Sequence, residues 1–111
     1  MSRSVMIDVR EQSEFEAEHV EGAILIPLSQ FAAKASQALE TAKGADLVIM
    51  CRSGMRAGSA MTQLHQLGLA RQFKTVTVYP GGILAWRGQG KPTVKGRASG
   101  VLSKLLGMIS G

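Results

Sequence analysis

The sequence predicts an α/β fold, a mostly parallel sheet of four to five strands with helices on both faces. Short apolar runs recur along the chain, separated by segments of helical spacing. That alternation is the pattern of strands joined through helices. The run Leu47–Met50 is apolar at every position, as expected of a strand covered on both sides. With 111 residues the chain suffices for one compact domain and is too short for two.

Val5–Val9 (VMIDV) is the first strand, a short apolar run. Glu11 to Glu18 is acidic and suits a short helix or turn, since carboxylates are favoured near a helix N-terminus. Gly22–Pro27 is a second strand ended by proline. Ser29 is expected to cap a helix running to about Ala42 that buries Phe31, Ala35 and Leu39. After Leu47–Met50 comes a polar loop, Cys51–Arg56. Residues 57–67 read as a helix with Ala60, Met61, Leu64 and Leu67 on one face and Gly68 as its stop. Thr75 to Tyr79 alternates like a strand rich in β-branched residues. Pro80-Gly81-Gly82 is a turn, and Ile83 to Gly88 starts a last short helix. From about Lys91 to Gly100 no element is expected. The tail from Val101 to Ile109 carries a helical apolar stripe. It either packs back on the domain or offers a surface to a partner or a membrane interface, and it is too short to span a bilayer. The expected division is a domain over 1–95 and a short apolar tail, expected helical, over 96–111.

Composition narrows the function classes. The hydrophobic fraction of 45% and charged fraction of 19% fit a folded domain. One cysteine excludes an internal disulfide and a cysteine-clustered zinc site. No metal ligand set and no cofactor motif is found. The N-terminus lacks the apolar core of a signal peptide, and no stretch is long and apolar enough to span a membrane, so a cytoplasmic protein is expected. Charge is polarised. All eight acids lie in residues 1–50 beside four bases, whereas residues 51–111 hold nine bases and no acid. Aromatic residues are too sparse, and binding motifs too absent, for nucleic acid to be the expected partner. The milder reading is a positive field that draws small anions toward Cys51.

The candidate site is the loop Cys51-Arg52-Ser53-Gly54-Met55-Arg56. In a parallel α/β sheet, ligands gather beyond the carboxyl ends of the strands, and Cys51 directly follows one. A strand–loop–helix connection turns backbone N–H groups toward the loop centre, where they bind anions. A thiolate or a persulfide is such an anion, and Arg52 and Arg56 beside it favour the thiolate. A buried structural cysteine is the competing reading, but it requires neither the glycine nor the two arginines.

Four motifs stand in order. They are Asp8-Val9-Arg10-Glu11; Glu14-Phe15 with His19-Val20-Glu21-Gly22-Ala23 and Ile26-Pro27; the loop Cys51–Arg56; and Gly81-Gly82-Ile83-Leu84-Ala85-Trp86. On these residues the chain resembles the rhodanese family of sulfurtransferases over about residues 5–94. The resemblance implies a rhodanese-like fold and a sulfur transfer through a persulfide on Cys51. Cys51 takes the outer sulfur of thiosulfate or a similar small anionic donor and passes it to a thiol, protein thiols included, or to cyanide in assays. Loop N–H groups from Arg52 to Arg56 would cradle the persulfide, with Arg52 receiving the donor's sulfonate and Arg56 bracing the loop. Asp8 and Arg10 are expected to support neighbouring loops. His19 is expected to be a hydrogen-bonding loop residue, His65 to sit near a helix C-terminus, and Trp86 to be core. A relay module with little thiosulfate–cyanide turnover, or a regulatory domain that does not use Cys51, remains an alternative. Phosphatases of similar plan have a loop one residue longer, which argues against a phosphatase or arsenate reductase. Family members carry a longer segment before the first motif, so the first edge strand is expected to be missing and the sheet edge exposed. The tail is expected to cover that edge, in the same subunit or by self-association or partner contact.

Overall fold

A computed structural model of the chain describes residues 3–97. Four strands, β1 (Ser4–Asp8), β2 (Ile24–Leu25), β3 (Asp46–Met50) and β4 (Thr75–Val78), form one sheet in the order β2-β1-β3-β4, all parallel. Four helices alternate with them: α1 (Gln12–Ala17), α2 (Phe31–Ala38), α3 (Met55–Gln66) and α4 (Gly82–Gly88). The alternation of apolar runs and helical segments thus becomes the expected α/β fold with four strands.

Register explains the core. Ile24, Ile7, Ile49 and Val78 fall in one row across the sheet. Ile7 and Ile49 are fully buried in the main apolar cluster, with Phe31 and Ala35 of α2 and Ala57, Ala60 and Leu64 of α3. Side chains alternate faces along a strand. Asp8 and Met50, paired in the neighbouring row, therefore face the other way, and both are also fully buried. That second face is covered too, by the elements left for it, α1 and α4 and their flanking loops. Phe15, Ala23 and Ile83 are buried there, outside the main cluster.

Several local expectations are corrected. Ser29 does not cap α2. It lies in a 3₁₀ turn, Leu28–Gln30, and its hydroxyl donates to both carboxylate oxygens of Glu11 at 3.0 and 3.1 Å. A charged acceptor outcompetes the local backbone for that hydroxyl, and Gln30 takes the cap position. Helix α2 stops at Ala38, and a separate 3₁₀ turn covers Glu40–Ala42. The second strand shrinks to two residues. Leu67 is 41% exposed, and the place expected for it in the core goes to Leu69 and Phe73 around the next turn. Gly68 does follow the end of α3, with a φ of +73° that suits glycine.

The segment after α4, expected to hold no element, is pinned to the domain. Val94 and His19 exchange backbone hydrogen bonds of 2.8 and 2.9 Å, and Gly96 N–H donates to Glu16 O at 2.7 Å. The apolar tail and the surface expected for it lie outside the described residues. Among the described residues no helix is long and apolar enough to cross a membrane.

Candidate active site

Strands β1, β3 and β4 are parallel, so their carboxyl ends share one edge of the sheet. Three of the four motifs meet there. Asp8 ends β1, Cys51 follows β3, and Gly81-Gly82 follows β4.

Helix α3 begins at Met55, two residues earlier than its apolar spacing suggested, because Gly54 serves as its N-cap with a φ of +113°. Only four residues, Cys51 to Gly54, separate strand and helix. Cys51 is 1% exposed and belongs to the main apolar cluster. Burial of that kind alone would suit an inert thiol. Its sulfur is nevertheless not apolar in its contacts: Gly54 N–H donates to Cys51 Sγ at 2.9 Å. The left-handed backbone at Gly54, which glycine adopts without steric cost, turns that N–H inward. Among the described residues, the N–H groups of Arg52, Ser53, Met55, Arg56 and Ala57 have no acceptor within the chain. Those of Met55 to Ala57 are the orphan donors of a first helical turn. The sulfur thus sits at the positive end of a twelve-residue helix.

Arg56, at the loop's end, forks onto Glu14 of α1 with bonds of 2.6 and 2.8 Å. The fork holds the Glu14 carboxyl down to about 2; burial opposes the shift and the Glu11 backbone and the Arg56 and Arg10 charges assist it. The Arg56 guanidinium is correspondingly held more firmly protonated, first by Glu14 against the cost of burial, with smaller contributions from the charges of Glu14, Cys51 and Asp8. Glu14 also accepts from the Glu11 N–H at 3.0 Å, closing the start of α1.

Asp8 and Arg10 form a buried pair. Arg10 Nε and Nη2 donate to the two carboxylate oxygens at 3.0 and 2.8 Å, and Arg10 N–H donates to Oδ1 at 3.0 Å. The same guanidinium donates to Glu18 O at 2.6 Å, just past the end of α1. A six-residue helix is too short to persist alone, and α1 is fixed at both ends by these groups. Arg52 is exposed and has no ion-pair partner among the described residues. Ser53 and Met55 are exposed as well, Met55 at 83%.

The least legible part of the site is the Gly81-Gly82 turn. Ile83 N–H donates to Cys51 O at 2.8 Å and Leu84 N–H to Arg52 O at 3.2 Å, so the start of α4 holds the loop from behind. A Cβ on Gly82 would lie 2.3 Å from Arg52 O and 2.5 Å from Cys51 O. A Cβ on Gly81 would lie 2.7 Å from the Ala85 Cβ. The spacing of two glycines and a small residue four positions on was the available signal, and the turn reading captured only the bend.

The remaining candidates lie aside. His19 is fully buried, stacks on Phe15 with ring centroids 3.7 Å apart, and places Nδ1 2.7 Å from Phe15 O. A carbonyl only accepts, so Nδ1 carries the proton. His65 is exposed on α3. Trp86 is not core: it is half-buried, donates to Pro92 O at 2.9 Å and carries Lys91 Nζ 4.8 Å from its ring centroid. Among the described residues no group of His, Cys, Asp and Glu is arranged to hold a metal ion.

A buried cysteine in a glycine-turned loop at a helix N-terminus, on a parallel sheet, defines an α/β protein with an anion-ready thiol. The description "Rhodanese-like domain" matches residues 1–89, and the chain belongs to that family. An uncharacterized protein of Synechocystis is 40% identical over 91 residues, 82% of this chain, and the chain spans 47% of that relative's length. A protein of Allochromatium vinosum named sulfurtransferase is 33% identical over 90 residues, covering 81% of this chain and 78% of the relative. Among solved structures, "rhodanese with anions from E. coli" superposes with a TM-score of 0.65 at 29% identity, over 85% of this chain and all of the other.

Proposed function

We propose that the chain is a sulfurtransferase that carries a sulfane sulfur as a persulfide on Cys51. The observation that carries this reading is the Gly54 N–H donated to the Cys51 sulfur, at a helix start whose neighbouring N–H groups have no acceptor among the described residues. Donors so placed stabilise negative charge on sulfur before and after the transfer. In the first step the Cys51 thiolate attacks the outer sulfur of thiosulfate, the sulfur–sulfur bond breaks, and sulfite leaves with the bonding electrons. In the second, a thiol or cyanide takes the outer sulfur and the Cys51 thiolate is regenerated. Arg52, exposed and without an ion-pair partner among the described residues, receives the sulfonate. Arg56 is committed to Glu14 and, with the Asp8–Arg10 pair, holds the loop. The relatedness to a protein named sulfurtransferase and to an E. coli rhodanese described with anions supports the same reading. Thiosulfate as the donor and a compact domain ending near residue 95 are part of the proposal.

A relay module would use the same cysteine. Steady-state release of thiocyanate from thiosulfate and cyanide separates the two. Turnover through many cycles supports the enzyme, whereas a single loading with negligible turnover supports the relay. Absence of any sulfur gain on Cys51 would overturn both.

A further inference from the structure

Of the two outer strands of the sheet, β2 has two residues, too few to receive a further strand. The other, β4, has four, Thr75-Val76-Thr77-Val78, all β-branched and none charged. An outer strand of that composition is a template for another strand. Lys74 N–H donates to Ala45 O, just before β3, at 2.9 Å. Alternation along a parallel strand then turns the N–H and C=O groups of Thr75 and Thr77 away from β3. Both residues are exposed. Beside the start of β4, on the face that carries Val76, lies an open hollow of about 310 Å³. Ala70, Phe73 and Val76 give it an apolar floor, His65, Arg71 and Lys74 are its exposed basic rim, and no acid lines it.

Among the described residues the side chains of His65 and Arg71 have no hydrogen bond or ion pair. The acid on the neighbouring strand, Asp46, accepts from the Thr75 hydroxyl at 2.6 Å and does not line the hollow. An outward-facing row of backbone groups therefore runs beside a basic hollow. We propose that β4 is a docking edge for an extended acidic segment of a partner protein, which adds to the sheet as a further strand and seats a carboxylate among His65, Arg71 and Lys74. Backbone bonds to Thr75 and Thr77 supply affinity, and the side chain in the hollow supplies selectivity. Successive residues of a strand face opposite sides, so the added residue on the Val76 side lies over the hollow. At roughly 30 Å³ per water-sized group, the hollow has room for about ten, ample for an aspartate or glutamate side chain. Arg71 matches a carboxylate with two parallel N–H donors. Charge also decides against a second copy of this chain as the occupant. Its β4 would arrive within residues 51–111, which hold nine bases and no acid, and like charges across a seam are repulsive. The hollow lies at the amino end of β4, about 10 Å along the strand from the edge where Cys51 sits. A docked segment thus leaves the Cys51 loop open.

The test titrates the full chain with two peptides, acetyl-Glu-Val-Thr-Val-Glu-amide and its counterpart with lysine at both ends, followed by amide NMR and hydrogen exchange. The acidic peptide should shift the amide resonances of Thr75 and Thr77. At nine-tenths saturation it should slow exchange at those two amides about tenfold. The lysine peptide at the same concentration should do neither. In Arg71→Glu, an exposed position, the acidic peptide should bind about five- to tenfold more weakly, the effect of a nearby charge in a screened site. The same variant should gain sulfur from thiosulfate at the wild-type rate, since the Cys51 loop is untouched. Unchanged exchange at Thr75 and Thr77 overturns the edge as the docking site. Equal binding of the two peptides, or equal affinity in Arg71→Glu, overturns the basic hollow as the carboxylate seat. Protection of the two amides that rises with protein concentration and without peptide identifies a second copy as the occupant and overturns the acidic partner.

Discussion

Gly82→Ala perturbs the site without touching a charged or reactive group. At a φ of +61° the alanine pays about 1–2 kcal/mol for the left-handed conformation. The added Cβ would meet Arg52 O at 2.3 Å, whereas a carbon ordinarily approaches a carbonyl oxygen no closer than about 3.3 Å. Backbone must therefore move by about 1 Å. The bonds most exposed to that movement are Ile83 N–H to Cys51 O and Leu84 N–H to Arg52 O, each worth about 0.5–1.5 kcal/mol. The total is about 2–5 kcal/mol, which in a domain of this size lowers Tm by at least about 8 °C. Sulfur loading should fall further than stability does, by about a hundredfold under conditions where the variant is folded, because a 1 Å misplacement at a reacting group is that costly. Urea unfolding, a thermal scan and the rate of sulfur gain by mass spectrometry measure the three quantities. A variant with wild-type Tm and loading would refute the idea that the glycine turn buttresses the cysteine loop.

Gly58→Ala is the opposite case. It lies on the exposed face of α3 with nothing within 4 Å of the added carbon, so it should raise stability by about 0.5–1 kcal/mol in urea unfolding. Glu14→Gln should cost about 1–2 kcal/mol at neutral pH, since the fork with Arg56 is one-third exposed and partly screened. Because Glu14 has its folded-state value depressed from 4.5 to about 2, the wild-type advantage should be complete above about pH 4.5, shrink as pH falls, and vanish near pH 2. An advantage that instead grew on acidification would contradict the pairing. Arg52→Ala should slow loading from thiosulfate about five- to tenfold while leaving discharge to a neutral thiol within about twofold. Equal losses would remove the sulfonate role.

Much of the fold was legible because a strand buried on both faces leaves a plain mark, as in Leu47–Met50, and because β-branched alternation, as at Thr75 to Tyr79, suits a strand far better than a helix. The position of Cys51 at the end of a strand and before a helix was legible for the same reason. Distances along the chain concealed the rest. Glu14 and Arg56 are 42 residues apart, and nothing local in either helix announces that they meet. Ser29 has a serine's usual preference for a helix start, but a carboxylate from another segment claimed its hydroxyl. Gly82 looks like any turn glycine until the carbonyls of Cys51 and Arg52 are seen against its backbone. Leu67 follows the helical stripe correctly in sequence, yet α3 ends just before it and the chain turns at Gly68, leaving it outside.

The proposed chemistry depends on the sulfur of Cys51, held by the Gly54 amide at the start of α3, receiving and keeping an additional sulfur atom. Intact mass of the full chain before and after thiosulfate, followed by peptide mapping, tests this most directly. The expected result is a gain of one sulfur atom that maps to the peptide containing Cys51, is removed by cyanide, and is absent in a folded Cys51→Ser protein. An unchanged wild-type mass under the same treatment, or a gain that persists in Cys51→Ser, would contradict it.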